Sequence, residues 1–247
     1  MNRKIRKNKK VLVELKCVKK VFGKKHKQVI AINNLSFKLY EGENVALIGA
    51  NGAGKTTTVE MIMGINKPTQ GRVIYSLSEK SSKRKHNLDL GIQFQDSIYP
   101  QYIYVKDIVN FIINAYNISI DEKTLEGLVK AFKVDNFYTH RANSLSGGQS
   151  QRLNILLAFL HKPKLVFLDE LSTGLDITTR NDFKKFIKDY AIKNNITIVL
   201  ISHDSGEIMS LTDKIIILKN GSIVKEVKTK DFKNINELEK FIELNIN

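Results

Sequence analysis

The chain has 247 residues, 42% of them hydrophobic, which allows one large domain or two small ones with a sizeable core. Its 40 basic and 25 acidic residues give a formal net charge of +15, an excess that could attract polyanions or simply keep the surface solvated. The basic residues are dispersed and no zinc-finger, RNA-binding aromatic or basic-zipper pattern accompanies them, so we expect no nucleic-acid partner.

The N-terminal part of the chain predicts a basic segment followed by a strand. Residues 1–10 are basic but precede no long apolar run, so we do not expect them to be a signal peptide. No stretch reaches the ~18 consecutive apolar residues of a membrane span, and we do not expect the chain to cross a bilayer by itself. Val11–Val18 alternates in hydrophobicity like a half-buried strand, and Cys17 falls on its apolar phase, which predicts a core position.

Short apolar runs along the rest of the chain predict buried strands. They lie at Asn44–Ile48, Lys164–Asp169 and Ile196–Ser202, and helical patterns separate them. Alternating strands and helices predict a parallel sheet wrapped by helices. Asn220-Gly221 indicates a hairpin between two further strands.

Between residues 105 and 160 the apolar residues recur at helical spacing with no strong strand among them. We interpret residues 96–162 as a helical subdomain inserted into the α/β core.

Residues 49–56 read GANGAGKT and fit the phosphate-binding motif G-x-x-x-x-G-K-[ST]. Glycines let backbone N–H groups approach phosphate oxygens, and the start of the following helix favours the same anion. Lys55 is expected to contact the β- and γ-phosphates, and the hydroxyl of Thr56 is a suitable ligand for Mg²⁺. The predicted nucleotide-binding residues here are Gly49, Ala50, Asn51, Gly52, Ala53, Gly54, Lys55, Thr56 and Thr57.

An acidic pair follows the second buried strand. Asp169 ends the apolar run, where α/β sheets bind ligands, and its carboxylate can hold Mg²⁺. Glu170 comes next, and because neighbouring side chains on an extended chain point apart, we expect it to face the γ-phosphate and act as the general base. A pair of acids that merely begins a helix is the alternative.

Leu145–Gln149, which reads LSGGQ, predicts the start of another helix. Ser146 is suited to cap that helix, and two glycines expose backbone N–H groups. The segment therefore predicts a second anion site at a helix N-terminus, with a plain helix cap as the alternative.

Together these motifs resemble the nucleotide-binding subunit of ATP-binding cassette (ABC) transporters, an α/β P-loop NTPase fold with a parallel sheet, an inserted helical subdomain and an N-terminal antiparallel β portion. The resemblance spans about residues 11–227, so we assign 11–247 to one ABC ATPase domain. The segments that carry it are GANGAGKTT at 49–57, Gln95 in GIQFQD, LSGGQSQR at 145–152, LVFLDE at 165–170, STGLD at 172–176 and ISHD at 201–204.

The resemblance implies further roles for single residues. Gln95 would contact Mg²⁺ and the attacking water, and His203 would bond the γ-phosphate. Asp176 would act across a dimer interface, and Phe22 would stack on adenine in place of the more usual tyrosine. The signature residues Ser146, Gly147, Gly148 and Gln149 would bind the nucleotide of a partner subunit. Leu171 departs from the family by replacing a proline after the glutamate.

The resemblance also implies an activity and partners. The chain would hydrolyse Mg-ATP as a homodimer, or with a related cassette, at the cytoplasmic face of the membrane. Separate membrane subunits would move the solute, and residues 95–109 and 167–176 look most like the corresponding segments of exporters. Ser97–Tyr104 is expected to receive a helix of the membrane subunit, with packing inside the helical subdomain as the alternative. A soluble ATPase of the iron–sulfur assembly type is the alternative function.

Overall fold

The computed structural model describes residues 9–24, 27–77, 89–93, 99–171, 174 and 177–246, the last range without the side chains of 177–179. Gln95 and Asp176, two of the predicted site residues, lie outside the described residues. The same is true of most of the basic segment predicted over 1–10.

An antiparallel three-stranded sheet forms the N-terminal portion, as the family resemblance implied. It consists of β1 (Val11–Phe22), β2 (Val29–Tyr40) and β4 (Gln70–Tyr75), with β1 in the centre. β1 continues beyond the predicted end at Val18 because its apolar residues go on pairing with β2 as far as Phe22.

The prediction that Cys17 is a core residue is wrong. The pairing of β1 with β2 shifts register between Leu15 and Val18, and Cys17 adopts a left-handed backbone with φ 49°. A bulge of this kind inserts an extra residue and resets the alternation of side chains between the two faces. Cys17 is therefore exposed, and its backbone N–H donates to Ser36 Oγ at 2.8 Å.

A six-stranded mixed sheet forms the centre of the molecule, in the order β5-β6-β7-β3-β8-β9. All neighbours are parallel except β8 and β9, which form the antiparallel hairpin predicted at Asn220-Gly221. The strands are β3 (Val45–Ile48), β5 (Leu90–Ile92), β6 (Leu165–Asp169), β7 (Thr197–Ile201), β8 (Lys214–Lys219) and β9 (Ser222–Lys228).

Helices cover the sheet and fill the stretch between β5 and β6. The described α-helices are α1 (Lys55–Ile62), α2 (Val105–Ala115), α3 (Glu122–Ala131), α4 (Gly147–Phe159), α5 (Ile177–Lys193), α6 (Ser205–Leu211) and α7 (Ile235–Ile246). The predicted helical stretch is thus confirmed, while the subdomain bounds 96–162 remain a prediction.

The hydrophobic core has two layers on opposite faces of the central sheet. Along β3, Ala46 and Ile48 belong to the layer that contains most of the helices, whereas Val45 and Leu47 pack toward the antiparallel sheet and α1. This alternation is the two-residue period of a strand that is buried on both faces.

The order of the central strands determines where a ligand can bind. β6, β7 and β3 are parallel neighbours, so their carboxyl ends lie at one edge of the sheet. Three predicted site segments follow these ends: residues 49–56, Asp169-Glu170 and His203. Among the described residues, no helix is both long and apolar enough to cross a membrane.

Candidate functional site

The loop after β3 leads directly into α1 and leaves the start of that helix uncapped. Gly54 is the N-cap residue, with φ 102°, and as a glycine it provides no side-chain cap for this helix. The first turn of α1 contains no acidic residue. Since the first N–H groups of a helix have no partner within it, and the helix dipole adds positive charge there, this end is suited to an anion.

The same loop is packed closely against the antiparallel sheet. A Cβ atom on Gly54 would lie 2.8 Å from the backbone oxygen of Ala31 and 2.6 Å from Ile32 Cδ1, which explains why glycine occupies the position. The N–H of Gly221, in the β8–β9 turn, donates to Ala53 O at 3.1 Å. Two neighbouring elements therefore hold the loop in place.

Lys55, the first residue of α1, lies back over the loop. Its Nζ donates to Gly49 O at 2.6 Å and to Ala50 O at 3.1 Å. Burial lowers the pKa of Lys55, and the nearby carboxylates of Asp169 and Glu170 oppose that shift. A partly buried ammonium bonded only to neutral carbonyls is well placed to bind a phosphate group instead.

Asp169 ends β6 and points toward the same region. Burial, the largest cause, and the negative charge of Glu170 together raise its pKa to about 6, against the opposing effect of the Lys55 ammonium. The charge of Lys55 therefore does not offset burial and the charge of Glu170, and a cation bound at this carboxyl group would favour its ionised form.

Glu170 does not have the extended backbone that the sequence argument assumed. Its φ is 49°, in the left-handed region, and its N–H donates to Ile201 O at 2.8 Å at the end of β7. The chain turns at this residue, so Asp169 and Glu170 do not point apart across a strand: both line the same cavity. The extended backbone assumed for Glu170 is therefore wrong, whereas the separate roles of the two carboxylates, at the metal and at the γ-phosphate, stay a prediction.

One cavity of about 410 Å³ brings most of the predicted residues together. Its predicted members are Phe22, Asn51, Gly52, Gly54, Lys55, Thr56, Thr57, Asp169, Glu170 and His203. A larger cavity of about 930 Å³, lined by charges of both signs, contains none of the predicted site residues. The smaller cavity is therefore the candidate site, because the chemical nature of its lining residues, and not its volume, distinguishes it.

The sequence argument missed the apolar end of this cavity. Val29 and Ile30, at the start of β2, line it and are 65% and 52% exposed. Phe22 lies at the same end with 39% exposure, and Lys20 Nζ is 4.8 Å from its ring centroid. Lys20 is itself fixed by donating to Lys67 O at 2.8 Å. The sequence does show Val29 and Ile30 as adjacent apolar residues at the start of a strand, but this pattern does not tell whether the two side chains are exposed or buried.

His203 follows β7 and is exposed in the cavity wall. The next residue, Asp204, caps α6 by accepting from Glu207 N at 2.8 Å, and it lies 3.8 Å from Arg180 Nη1. The cap and the ion pair fix the backbone beside His203, so the imidazole is presented from a defined position.

The signature segment begins α4 with reciprocal hydrogen bonds. Ser146 Oγ accepts from Gln149 N at 3.3 Å, and Gln149 Oε1 accepts from Ser146 N at 2.9 Å. Ser146 and Gly147 are exposed. None of residues 145–149 lines the 410 Å³ cavity, so the structure separates this helix start from the phosphate loop of the same chain.

The donor set of the cavity fits a hard divalent cation. Thr56 supplies a hydroxyl and Asp169 a carboxylate, the oxygen ligands that Mg²⁺ prefers, and Mg²⁺ usually combines one or two protein ligands with phosphates and water. In the described part of the chain, no group of three or more His, Cys, Asp or Glu side chains could hold a metal. The set therefore fits a cation that arrives with a phosphate ligand.

Comparison with known proteins links this chain to a family. The family described as ABC transporter matches residues 32–173. The spermidine/putrescine import ATP-binding protein PotA of Clostridium acetobutylicum is 30% identical over 215 residues, which cover 86% of this chain and 60% of PotA. The methionine import ATP-binding protein MetN of Bacillus subtilis is 29% identical, covering 92% of this chain and 69% of MetN. The chain thus spans about three fifths of PotA.

Solved structures confirm the predicted fold. The dimeric post-hydrolysis state of the ATP-binding cassette MJ0796, bound to ADP and Pi, matches with a TM-score of 0.79 at 26% identity, over 90% of this chain and 100% of that one. An ATP-binding subunit of an ABC transporter matches with a TM-score of 0.80 over 94% and 99% of the two chains; at 23% identity it supports the fold alone.

Proposed function

This chain belongs to the ABC transporter family and carries its ATPase domain, and from that premise we propose that it binds and hydrolyses ATP to drive solute movement through separate membrane subunits. The observation that carries the proposal is the composition of the 410 Å³ cavity. An uncapped helix start, a lysine, two carboxylates and a histidine converge there, beside an apolar end with an exposed aromatic ring.

Each group in the cavity has a role in phosphoryl transfer from ATP to water. The N–H groups of residues 49–56 and the Lys55 ammonium bind the phosphates and stabilise charge on the transferred group, the main catalytic requirement of this reaction. Glu170 accepts the proton of the attacking water, and His203 donates a hydrogen bond to the γ-phosphate. Phe22 stacks on the base.

A magnesium ion would be held by Thr56 and Asp169, and its chemistry is to neutralise charge on the phosphate oxygens. Gln95 is proposed to assist at the ion and the water, by the family resemblance alone.

Two substitutions separate binding from hydrolysis. Glu170→Gln keeps the size of the side chain but removes the base, so ATP affinity should persist while turnover falls by roughly 10²–10⁴-fold. Lys55→Ala removes the phosphate contact and should lower both binding and turnover. Equilibrium binding of a fluorescent ATP analogue and steady-state phosphate release measure the two properties. Turnover of Glu170→Gln within twofold of wild type would show that Glu170 is not the base.

We propose that the working form is a dimer in which the signature of each subunit completes the site of the other. Support comes from the exposed start of α4, which offers anion-binding N–H groups but does not line the cavity of its own chain. Ser146, Gly147, Gly148 and Gln149 would contact the γ-phosphate bound to the partner. Asp176 is proposed to act across the same interface by resemblance.

Mixing two inactive variants tests the shared site. Lys55→Ala and Ser146→Arg should each be nearly inactive alone. If the cassette homodimerises, a mixed dimer contains one intact phosphate loop facing one intact signature, so mixing should restore part of the activity. Absence of recovery in demonstrated mixed dimers would contradict the shared-site proposal, given that one intact site suffices.

We propose that the membrane subunit contacts the segment 97–104 and that this chain lies at the cytoplasmic face of the membrane. Tyr102 is 72% exposed and Tyr104 is 38% exposed, whereas Tyr99 donates a hydrogen bond to Asn154 and packs on the core. Residues 97 and 98 lie outside the described residues. Cysteines at Tyr102 and Tyr104 should crosslink to the membrane subunit in native membranes; an intact complex without crosslinks would place the contact elsewhere.

Export, the direction favoured by the sequence, stays a prediction. The names of PotA and MetN describe import, so the export favoured by the sequence has no support from these relatives. The soluble iron–sulfur assembly ATPase remains the second candidate function, and copurification of a membrane subunit with this chain distinguishes the two.

A further inference from the structure

Two buried glutamine side chains connect the signature helix to the acidic pair of the same chain. We propose that Gln93 and Gln151 form an amide clamp that positions the backbone of Asp169 and Glu170 and makes it depend on the position of α4. The inference rests on the proposed role of Glu170 as the general base. Both glutamines act through the acidic pair and are positioning residues.

Gln93 lies just after β5 and is 2% exposed. Its backbone N–H donates to Phe167 O at 2.9 Å, which extends the pairing of β5 with β6. Its side-chain Oε1 accepts from the N–H of Asp169 at 2.8 Å, and its Nε2 donates to Gln151 Oε1 at 3.3 Å. The side chain thus bridges the last residue of β6 and a residue of α4.

Gln151 continues the chain of hydrogen bonds from α4 and is 5% exposed. Its Nε2 donates to Glu170 O at 2.9 Å and to Leu171 O at 3.3 Å. Each amide therefore accepts at one end and donates at the other, from the Asp169 N–H through both side chains to the Glu170 carbonyl. A glutamine side chain carries a donor and an acceptor at its end, whereas an apolar side chain carries neither and a carboxylate only accepts, so neither reproduces the arrangement.

The backbone of Glu170 requires such support. A non-glycine residue at φ 49° is strained and persists where its surroundings hold it. Bonds hold Glu170 on both sides, because its N–H donates to Ile201 O and its carbonyl accepts from Gln151. Loss of the clamp frees the carbonyl side, and the carboxylate then loses its fixed direction in the cavity.

The clamp also gives α4 a route to the acidic pair. Gln151 is five residues after Ser146 on one continuous helix whose N-terminal turn carries the signature. A helix moves as a rigid rod over this distance, about 7–8 Å. When a partner's nucleotide contacts the signature, any tilt of α4 therefore shifts Gln151 and the Glu170 carbonyl with it. The signature of a chain would in this way influence hydrolysis in that chain's own site.

Methionine substitutions test the clamp because they keep the length of the side chain and remove its hydrogen bonds. Gln93→Met and Gln151→Met should each lower kcat by roughly 10–100-fold, the scale expected for a misplaced catalytic group, while KM and ATP affinity stay within about twofold. The double variant should lose no more than the worse single variant, since the two residues act as one unit. Hydrogen exchange of the Asp169 amide should accelerate in both single variants.

Asn154→Met is the matched control. Asn154 is a buried amide on α4, one turn after Gln151, but it bonds Tyr99 and not the acidic pair. It should lose stability without losing kcat or amide protection at Asp169. If the methionine variants do not fold, Gln93→Asn and Gln151→Asn keep the polarity but are too short to span the gap, and the same readouts apply.

The outcomes separate this inference from the proposed function. Loss of turnover in Glu170→Gln with unchanged kcat and unchanged Asp169 exchange in both clamp variants would overturn the clamp alone. Normal turnover in Glu170→Gln would overturn the assignment of the base. Additive losses in the double variant would show that the two glutamines act separately.

Discussion

Gly54 offers a quantitative test of how the phosphate loop is held. Substitution with alanine places a Cβ atom 2.8 Å from Ala31 O and 2.6 Å from Ile32 Cδ1, at a residue with φ 102°. The backbone strain costs about 1–3 kcal/mol. The contact with β2 backbone, which cannot move freely, adds roughly 1–3 kcal/mol of overpacking. We expect a total loss of about 2–6 kcal/mol, a large part of the 5–15 kcal/mol typical of a domain.

Gly52 provides the matched control two residues earlier. It also has a positive φ, 81°, but a Cβ atom there would meet nothing within 4 Å. Gly52→Ala should therefore lower the free energy of unfolding by about 1–3 kcal/mol through backbone strain alone, with no added steric contact. Urea unfolding of the nucleotide-free protein, followed by circular dichroism, measures both losses. Equal destabilisation by the two substitutions would refute the argument that close packing against β2 fixes the loop.

Three further predictions concern other parts of the molecule. Burial lowers the pKa of His161 from 6.5, so the folded state favours the neutral imidazole and stability should fall as pH drops below about 6.5. The Tm of the His161→Phe variant should therefore change less than that of wild type between roughly pH 7.5 and 5.5. An equal change in the two proteins would contradict this. Phe22→Ala should weaken ATP binding roughly 5–150-fold, the scale of base stacking, whereas Phe22→Tyr should bind ATP as tightly as wild type. Fluorescence titration measures the affinities, and equal affinities of wild type and Phe22→Ala would exclude stacking. Phe132 is fully buried among aromatic rings. Phe132→Ala should therefore lower the free energy of unfolding, measured in urea, by about 3–5 kcal/mol. A decrease below about 1 kcal/mol would show that the ring is not a core contact.

The strands and helices that the sequence predicted correctly have a clear hydrophobic or turn pattern and are determined by residues close together in the sequence. The strand before residue 49, the helix after it and the hairpin at Asn220-Gly221 all depend on neighbouring residues, and the structure confirms them. The bulge at Cys17 could not be predicted, because the register of β1 is set by its pairing with β2 and not by its own alternation.

The candidate site was predictable as a set of residues but not as an arrangement. Motifs identified Lys55 and Asp169, and the family resemblance identified His203; all three line one cavity. The direction of Glu170 was not predictable, since its backbone turn depends on bonds to Ile201 and Gln151, far away in sequence. The clamp residue Gln93 was missed for the same reason: only the fold shows which buried amides contact the acidic pair.

Hydrolysis of ATP by this chain is the central claim, and single-turnover phosphate release from radiolabelled ATP tests it most directly. The purified chain, at a concentration high enough to form dimers and with magnesium present, should convert bound ATP to ADP and phosphate. Lys55→Ala and Glu170→Gln should convert almost none under the same conditions. Wild-type release no faster than that of Lys55→Ala, in folded protein that binds ATP, would contradict the account.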